Sequence, residues 1–260
     1  MDYTAAATHL KEAMRLKTEP LGVTFLKDAA GLPEKTRRPS QVFGKKVTIC
    51  QAVTMARIYG WPVGVTQEDL ICIPGMLVFG FTPAADPVQE LSQLFCEVGF
   101  HQSLGPALKE VAALPRFGPQ EVGAVYLCPL ERLALDPEVV VVYGNPAQIM
   151  RLIQAVTFAT GKRVGGEFGG KVECSQYLIG PYRTGEARVA IPGQGDRIFS
   201  MTQDDEMVVS LPAAFLEGAL MGLKDAAKKI GARYTITVYQ NFTPAFPPPY
   251  QERAKKWGII

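Results

Sequence analysis

Residues 138–161 read EVVVVYGNPAQIMRLIQAVTFATG, a stretch that predicts a strand followed by a helix. The continuous apolar run Glu138–Tyr143 is typical of a buried strand. Asn145 and Pro146 then predict a helix start, because asparagine caps helix N-termini and proline suits the first helical position. Apolar residues recur at helical spacing through Ala147–Thr160, so we expect a strand, a tight turn and a helix in sequence.

Strand and helix patterns continue on both sides of this unit. Strands are expected at Leu21–Leu26 and Glu121–Leu127, and an amphipathic helix is expected at residues 3–17. We predict an α/β or α+β fold in a single domain spanning residues 1–260, with helices packed on a mixed sheet and a two-lobed arrangement left open. The proline-rich tail at residues 241–250 is expected to be extended.

A glycine-rich stretch follows the helix directly. Residues 161–197 read GKRVGGEFGGKVECSQYLIGPYRTGEARVAIPGQGDR and contain nine glycines. Each glycine inside a helix or strand destabilises it by roughly 0.5–1 kcal/mol relative to alanine, so this stretch is not an ordinary core element. Apolar segments on both sides, and the run Tyr177–Ile179 within it, argue against disorder. We expect this backbone to pack closely against another segment, a ligand or an inorganic centre, and we take it as the functional segment.

Composition excludes several classes of protein. Lys and Arg total 27 and Asp and Glu total 25, and a net charge of +2 provides no strong field toward nucleic acid or anionic membranes. No apolar run approaches the roughly 20 residues that span a bilayer, and the N-terminus does not have the pattern of a signal peptide. We therefore predict no nucleic-acid or membrane partner and a cytoplasmic location, while homo-oligomerisation is left open.

The chain has five cysteines and only two histidines. Without a secretory signal, widely spaced cysteines argue against a disulfide framework and leave buried thiols, metal ligation or redox chemistry. A histidine-rich zinc or iron site is hard to build from two histidines, and no Cys-x-x-Cys zinc spacing occurs.

Three cysteines stand in unusual sequence contexts. Cys50 lies at a predicted helix N-terminus, where the helix dipole stabilises a thiolate. Cys72 precedes a predicted Pro-Gly turn, and Cys174 lies in the glycine-rich stretch. Three thiolates can hold an iron–sulfur cluster and leave one iron open to substrate. The alternative is that these residues are small buried side chains of the core.

Three segments together resemble the family called domain of unknown function 169, which is widespread in anaerobic bacteria and archaea and implies no general activity. In order they read FGKKVTICQAVTMARIYGWPVGVTQEDLICIPG, CPLERLALDPEVVVVYGNPAQIMRLIQAVTFATG and CSQYLIGPYRTGEARVAIPGQGDRIFSMTQDDEMVVSLP. The resemblance implies cysteines at Cys50, Cys72 and Cys174, with a fourth in an LGCxGxR segment. Here that segment reads IPGQGDR and has Gly193 at the place of the cysteine. The resemblance thus implies a four-cysteine site that has lost one ligand, which leaves an open metal position or a degenerate site.

We expect a cysteine-centred redox or metal-dependent protein, an iron–sulfur oxidoreductase or lyase, in which Cys50, Cys72 and Cys174 hold the cluster. In this hypothesis Arg57 or Arg197 binds an anionic group on a small substrate. Backbone N–H groups of the glycine-rich stretch help to hold that group; they belong to Gly165, Gly166, Gly169 and Gly170. Two alternatives remain: a binding module for a small ligand with structural cysteines, and a cofactor-free thiol enzyme with Cys50 as nucleophile.

Overall fold

A computed structural model describes residues 1–229, 231, 233–235 and 247–260 of the chain, and a six-stranded sheet organises them. The strands are β1 (Leu21–Leu26), β2 (Val63–Val65), β3 (Ala124–Pro129), β4 (Val139–Gly144), β5 (Arg188–Ala190) and β6 (Met207–Pro212). Their order across the sheet is β2-β3-β1-β4-β6-β5. The sheet therefore joins segments from both ends of the sequence.

Helices account for most of the remaining regular structure. They are α1 (Tyr3–Met14), α2 (Pro39–Phe43), α3 (Ile49–Tyr59), α4 (Ile73–Val78), α5 (Pro87–Glu97), α6 (Leu104–Ala113), α7 (Pro146–Thr160), α8 (Gly180–Thr184), α9 (Gln194–Phe199), α10 (Leu216–Lys229) and α11 (Pro248–Lys256). A π-helical turn, Ser175–Ile179, precedes α8, and single 3₁₀ turns occur at Ala29–Gly31, Gln67–Asp69, Leu130–Arg132 and Ala213–Phe215.

Helices packed on one sheet confirm the predicted fold class, and the pairing of the strands refines it. Every pairing between the described strands is antiparallel, and parallel contacts are limited to three isolated bridges. The predicted mixed sheet is thus an antiparallel one. The reason is that β4 and α7 form the expected strand–helix unit, but β6 returns beside β4 in the opposite direction.

The predicted proline-rich tail differs from the structure where the two can be compared. Residues 241–246 lie outside the described residues. Pro248 begins helix α11 instead of continuing an extended segment. Proline is accommodated in the first turn of a helix because its missing N–H has no partner there in any case, so a proline run can precede a helix as well as an extended chain.

The sheet separates two apolar layers. Residues 139–142 alternate along β4, so that Val140 and Val142 pack with α1, α7 and α10 on what we call the closed face. Val139 and Val141 pack with α3–α6 and the π-helical turn on what we call the cavity face. Burial on both sides accounts for the uninterrupted apolar run of β4.

Among the described residues, no helix has the length and apolar character required to cross a membrane.

Candidate functional site

Cys50 lies in the first turn of α3, close to the position that the sequence predicts. Thr48 caps this helix: its hydroxyl accepts the Gln51 N–H at 3.1 Å, and the Gln51 side chain accepts the Thr48 N–H at 2.9 Å. The Cys50 sulfur lies 3.0 Å from the Thr48 hydroxyl oxygen. The capping box therefore fixes the start of the helix and places the thiol beside its positive end.

Cys72 is the N-cap of the short helix α4, where the sequence predicts only a turn. Its sulfur accepts the Gly75 N–H at 3.4 Å. Pro74 stands in the first turn of this helix, which is a position that proline tolerates. A Cβ at residue 75 would lie 3.2 Å from the Cys72 sulfur, so glycine leaves the space that the sulfur occupies.

Asp69 holds the two cysteine-bearing segments side by side. Its backbone carbonyl accepts the Val47 N–H at 2.8 Å, and the Val47 carbonyl accepts the Ile71 N–H at 3.0 Å. The buried Asp69 carboxylate accepts hydrogen bonds from Arg38, Ser40 and Thr66. Burial alone would raise the pKa of this carboxyl, but the hydrogen bonds from Ser40, Arg38 and Thr66 outweigh it and hold the pKa below its usual range.

Cys174 reaches the same region from the glycine-rich stretch. It directly precedes the π-helical turn, a conformation that is rare and is found often at functional sites. The next residue, Ser175, anchors this turn by donating a hydrogen bond to the Pro115 carbonyl at 2.7 Å. The Cys174 side chain is buried against the cavity face of the sheet.

The structure brings Cys50, Cys72 and Cys174 to the wall of one cavity of about 590 Å³. The thiols are close enough to interact electrostatically: negative charge on Cys72 or Cys50 raises the pKa of Cys174. The remaining wall is mainly apolar, and several of its side chains are exposed at the mouth: Ile71, Ile73, Val98, Phe100, Ile198 and Phe199.

The surroundings of all three thiols favour the protonated form. Burial, with the nearby Asp196 carboxylate, raises the pKa of Cys50 to about 12, and the hydrogen bond from Thr48 opposes this only in part. Burial also raises the pKa of Cys72 and that of Cys174. A nucleophilic Cys50 without a cofactor would need the opposite shift. A bound metal deprotonates a coordinating thiol outright.

The chemistry of the donor set distinguishes two kinds of metal site. Among the described residues, no three His, Cys, Asp or Glu side chains are grouped in a way that would bind a metal ion. A single tetrahedral ion at about 2.3 Å from each sulfur would draw thiolates to roughly 3.8 Å from one another. In an iron–sulfur cluster each thiolate binds a different iron, so the thiolates stand further apart around a larger centre. Three cysteine thiols at one cavity are the type of ligand that an iron–sulfur cluster takes.

The two arginines predicted to bind an anionic group lie outside the wall of the cavity. Arg57 is buried, contacts Glu206 at 2.6 Å and stacks 4.1 Å above the Tyr143 ring. Arg197 donates a hydrogen bond to the Gln203 carbonyl at 2.5 Å. Both guanidinium groups thus have partners in other parts of the structure, and an anionic substrate remains a prediction without support from either of them.

The four predicted glycines pack against the protein itself. The N–H groups of Gly169 and Gly170 both donate to the Glu173 carboxylate at 2.8 Å. The Gly165 carbonyl accepts the Val189 N–H at 2.9 Å, and a Cβ at Gly166 would lie 2.2 Å from the Val189 carbonyl oxygen. The close backbone approach expected of this stretch is present, and its partners are strand β5 and Glu173. None of the four glycines lines the described cavity.

Two buried carboxyl groups at the cavity are absent from the sequence prediction. The Asp196 carboxylate accepts the Tyr177 hydroxyl at 2.8 Å and the Gly193 N–H at 3.0 Å. Glu173 is 1% exposed, and burial raises the pKa of its carboxyl to about 7. A Cβ at Gly193 would lie only 3.1 Å from Glu173 Cγ and 2.9 Å from the Gly170 carbonyl oxygen, so Glu173 occupies the space beside that glycine.

Comparison with known proteins gives a family without a described activity. The family model described as "Uncharacterised ArCR", domain of unknown function 169, matches residues 9–221, more than half of the chain. An uncharacterized protein of Methanocaldococcus jannaschii is 24% identical over 208 residues, which cover 79% of this chain and 87% of that protein. No solved structure matches the chain.

Proposed function

The chain belongs to the family called domain of unknown function 169, and from that premise we propose that Cys50, Cys72 and Cys174 together ligate an iron–sulfur cluster. The observation that carries this proposal is the convergence of three thiols, from three separate segments, on one cavity. Thiolates are the ligands of such clusters, and they persist in the reducing cytoplasm where we place this protein.

Two local features oppose part of the effect of burial on the thiols. Cys50 lies beside the N-terminus of α3, and Cys72 accepts a backbone N–H at the N-terminus of α4. Both arrangements stabilise negative charge on sulfur, and backbone hydrogen bonds to sulfur tune the potential of a cluster. Three protein ligands leave one coordination position for a small substrate, and a bound cluster would supply an electron or a Lewis acid there.

The cavity wall defines how the chain itself would treat a substrate. Phe95, Phe100 and Phe199 contribute apolar surface to the wall that also holds the thiols. Asp196 lines the same cavity, and its carboxylate is held in place by hydrogen bonds from Tyr177 and Gly193. These residues bind and orient a small, largely apolar molecule next to the three cysteines. We propose an oxidoreductase or lyase reaction for this arrangement.

One observation favours a second candidate function, a small-molecule binding module with structural cysteines. Ile71, Ile198 and Phe199 are more than half exposed at the mouth of the cavity. A concave site with a mainly apolar wall and a few polar groups is the usual form of a ligand pocket. This candidate needs no cofactor, because burial and the nearby Asp196 carboxylate raise the pKa of all three thiols and so favour their neutral form.

Measuring iron and acid-labile sulfide, with a visible spectrum, on protein purified without oxygen tests the first proposal. We expect iron and sulfide in near-equal amounts, and we expect Cys174→Ser to lose most of both because it removes one ligand. Cys96→Ser is the matched control, since Cys96 is a free cysteine that does not line the cavity. A colourless, metal-free and folded wild-type protein would reject the cluster and leave the binding module.

A further inference from the structure

Glu173 has one carboxylate oxygen without a partner. Its Oε1 accepts two backbone N–H groups, from Gly169 and Gly170. Its Oε2 is buried and has no hydrogen-bond partner among the described residues. Buried polar atoms are almost always hydrogen-bonded in folded proteins, and an exception calls for an explanation such as a catalytic role or a bound partner. Glu173 lines the cavity with the cysteines, so the cavity is where such a partner would bind.

The other charged groups at the cavity wall are already engaged. Both oxygens of Asp196 accept hydrogen bonds from the protein. Lys171 is the only basic residue among the described residues of the wall. Its ammonium group contacts Glu110 at 3.0 Å. The wall therefore offers an incoming molecule an unused hydrogen-bond acceptor, and its single cation is neutralised.

Lys171 also shows what kind of group this wall accommodates. Its ammonium lies 5.2 Å from the centre of the Phe95 ring and 5.6 Å from that of Phe100, within the range of cation–π contacts. The combination of one carboxylate oxygen and two aromatic faces stabilises a primary ammonium. Glu173 Oε2 is a second carboxylate oxygen at this wall. Unlike the Glu110 oxygen, it has no ammonium partner among the described residues.

We infer that the cavity binds a small apolar molecule carrying a protonated amine, which donates a hydrogen bond to Glu173 Oε2. The inference rests on the proposed function only in taking this cavity as the substrate site, and it names the class of that substrate. The amine satisfies the carboxylate oxygen that has no partner among the described residues, and the apolar body covers the wall formed by Phe95, Phe100 and Phe199. It replaces the anionic substrate expected from the sequence with a cationic one.

Two probes with the same apolar body test this inference by isothermal titration calorimetry at about pH 8.5, where the Glu173 carboxyl is mainly ionised and the amine is still protonated. 2-Phenylethylamine presents an ammonium, and 3-phenylpropionate presents a carboxylate on a phenylethyl group. We expect the amine to bind about 10- to 100-fold more tightly than the acid, which corresponds to one hydrogen bond to a charged group. Equal binding of the two probes, tighter binding of the acid, or no binding of the amine at millimolar concentration overturns the inference.

Glu173→Gln gives the second arm of the experiment. Glutamine retains an acceptor for Gly169 and Gly170 but places an N–H₂ donor where Oε2 stood, so the preference for the amine should disappear. Glu186→Gln is the matched control, because Glu186 is exposed and does not line the cavity. Unchanged amine affinity in a folded Glu173→Gln variant counts against the inference. If that variant does not fold, the comparison of the two probes on the wild-type protein decides.

The titrations are made on both the iron-loaded protein and a chelated sample, so that the two proposals fail separately. Absence of iron with preserved amine binding rejects the cluster and upholds the amine site. Iron at full occupancy with no preference for the amine rejects the amine site and upholds the cluster.

Discussion

The two faces of the sheet use the same strands for different purposes. On the closed face, α7 and α10 pack against Val140 and Val142, and the buried polar side chain of Arg151 donates a hydrogen bond to the Leu223 carbonyl. On the cavity face, the neighbouring residues of β4 lie near buried polar groups, including Arg57, Glu173 and Asp196. Burying such groups lowers stability unless each is paired. The difference teaches that both faces carry an apolar core, whereas the cavity, the three cysteines and the buried carboxyl groups lie on one of them.

The largest effect of a single added atom is expected on the closed face. Gly222 of α10 lies against α7, and a Cβ there would be 2.3 Å from the Ala155 carbonyl oxygen. Gly222→Ala should therefore lower the free energy of unfolding by about 3 kcal/mol, because the two helices must separate. Urea denaturation measures this change.

Gly105→Ala is the control for that experiment. It adds the same atom to helix α6, where nothing lies within 4 Å, so helix propensity alone predicts a neutral or stabilising change. Equal effects of the two substitutions would show that the contact between α7 and α10 is not as tight as described.

A smaller loss of stability, and one that depends on pH, is expected on the cavity face at Asp69. Asp69→Asn removes an acceptor that Arg38 and Thr66 share and should lower the free energy of unfolding by about 2 kcal/mol at pH 7. The pKa of Asp69 is lower in the folded than in the unfolded protein. Its contribution is therefore complete above about pH 4 and is lost as the pH falls through the folded value.

Measuring stability at several pH values distinguishes the contribution of the Asp69 charge from that of the size and shape of its side chain. The difference between wild type and Asp69→Asn, from urea unfolding, should shrink as the pH is lowered from 7 to about 3. Asp204→Asn, at a fully exposed residue, should show no such difference at either pH. A difference that stays constant with pH would mean that the ionised form of Asp69 is not what holds the two segments together.

The smallest effect on stability is expected at the mouth of the cavity. Ile198 is 63% exposed, so Ile198→Ser should change the free energy of unfolding by no more than about 0.5 kcal/mol. The same substitution should weaken binding of 2-phenylethylamine several-fold, since the apolar surface of the wall is reduced. Thermal denaturation and calorimetric titration measure the two quantities. A large loss of stability would place Ile198 in the core and contradict the contrast between the faces.

Much of the fold follows from local sequence patterns. The predicted strand at 21–26 and the unit formed by Glu138–Tyr143 and Ala147–Thr160 correspond to β1, β4 and α7. These elements depend on nearby residues: an apolar run, an Asn-Pro start and a glycine stop. The direction of β6 beside β4 depends on contacts distant in sequence, so the antiparallel pairing was not predictable from periodicity.

The site was predictable only in part, for a related reason. Cys50 at a helix N-terminus follows from local signals, because Thr48 and Gln51 form a capping box. Its position near Cys72 depends on backbone hydrogen bonds that join Val47 to Asp69 and Ile71. These residues are more than 20 positions apart, so no local sequence pattern predicts the contact. Glu173 was missed because a single glutamate among glycines has no periodic context. Only the structure shows that two glycine N–H groups bind one of its oxygens and leave the other free.

The distribution of the three cysteines along the chain has a consequence for biosynthesis. Cys50 and Cys72 are 22 positions apart, whereas Cys174 follows 102 positions later. At about 5–20 residues per second, a ribosome needs about 5–20 s to make the intervening segment. During that time the first two thiols exist without the third. Any centre that requires all three can therefore be completed only after residue 174 has been synthesised, which is about two-thirds of the way along the chain.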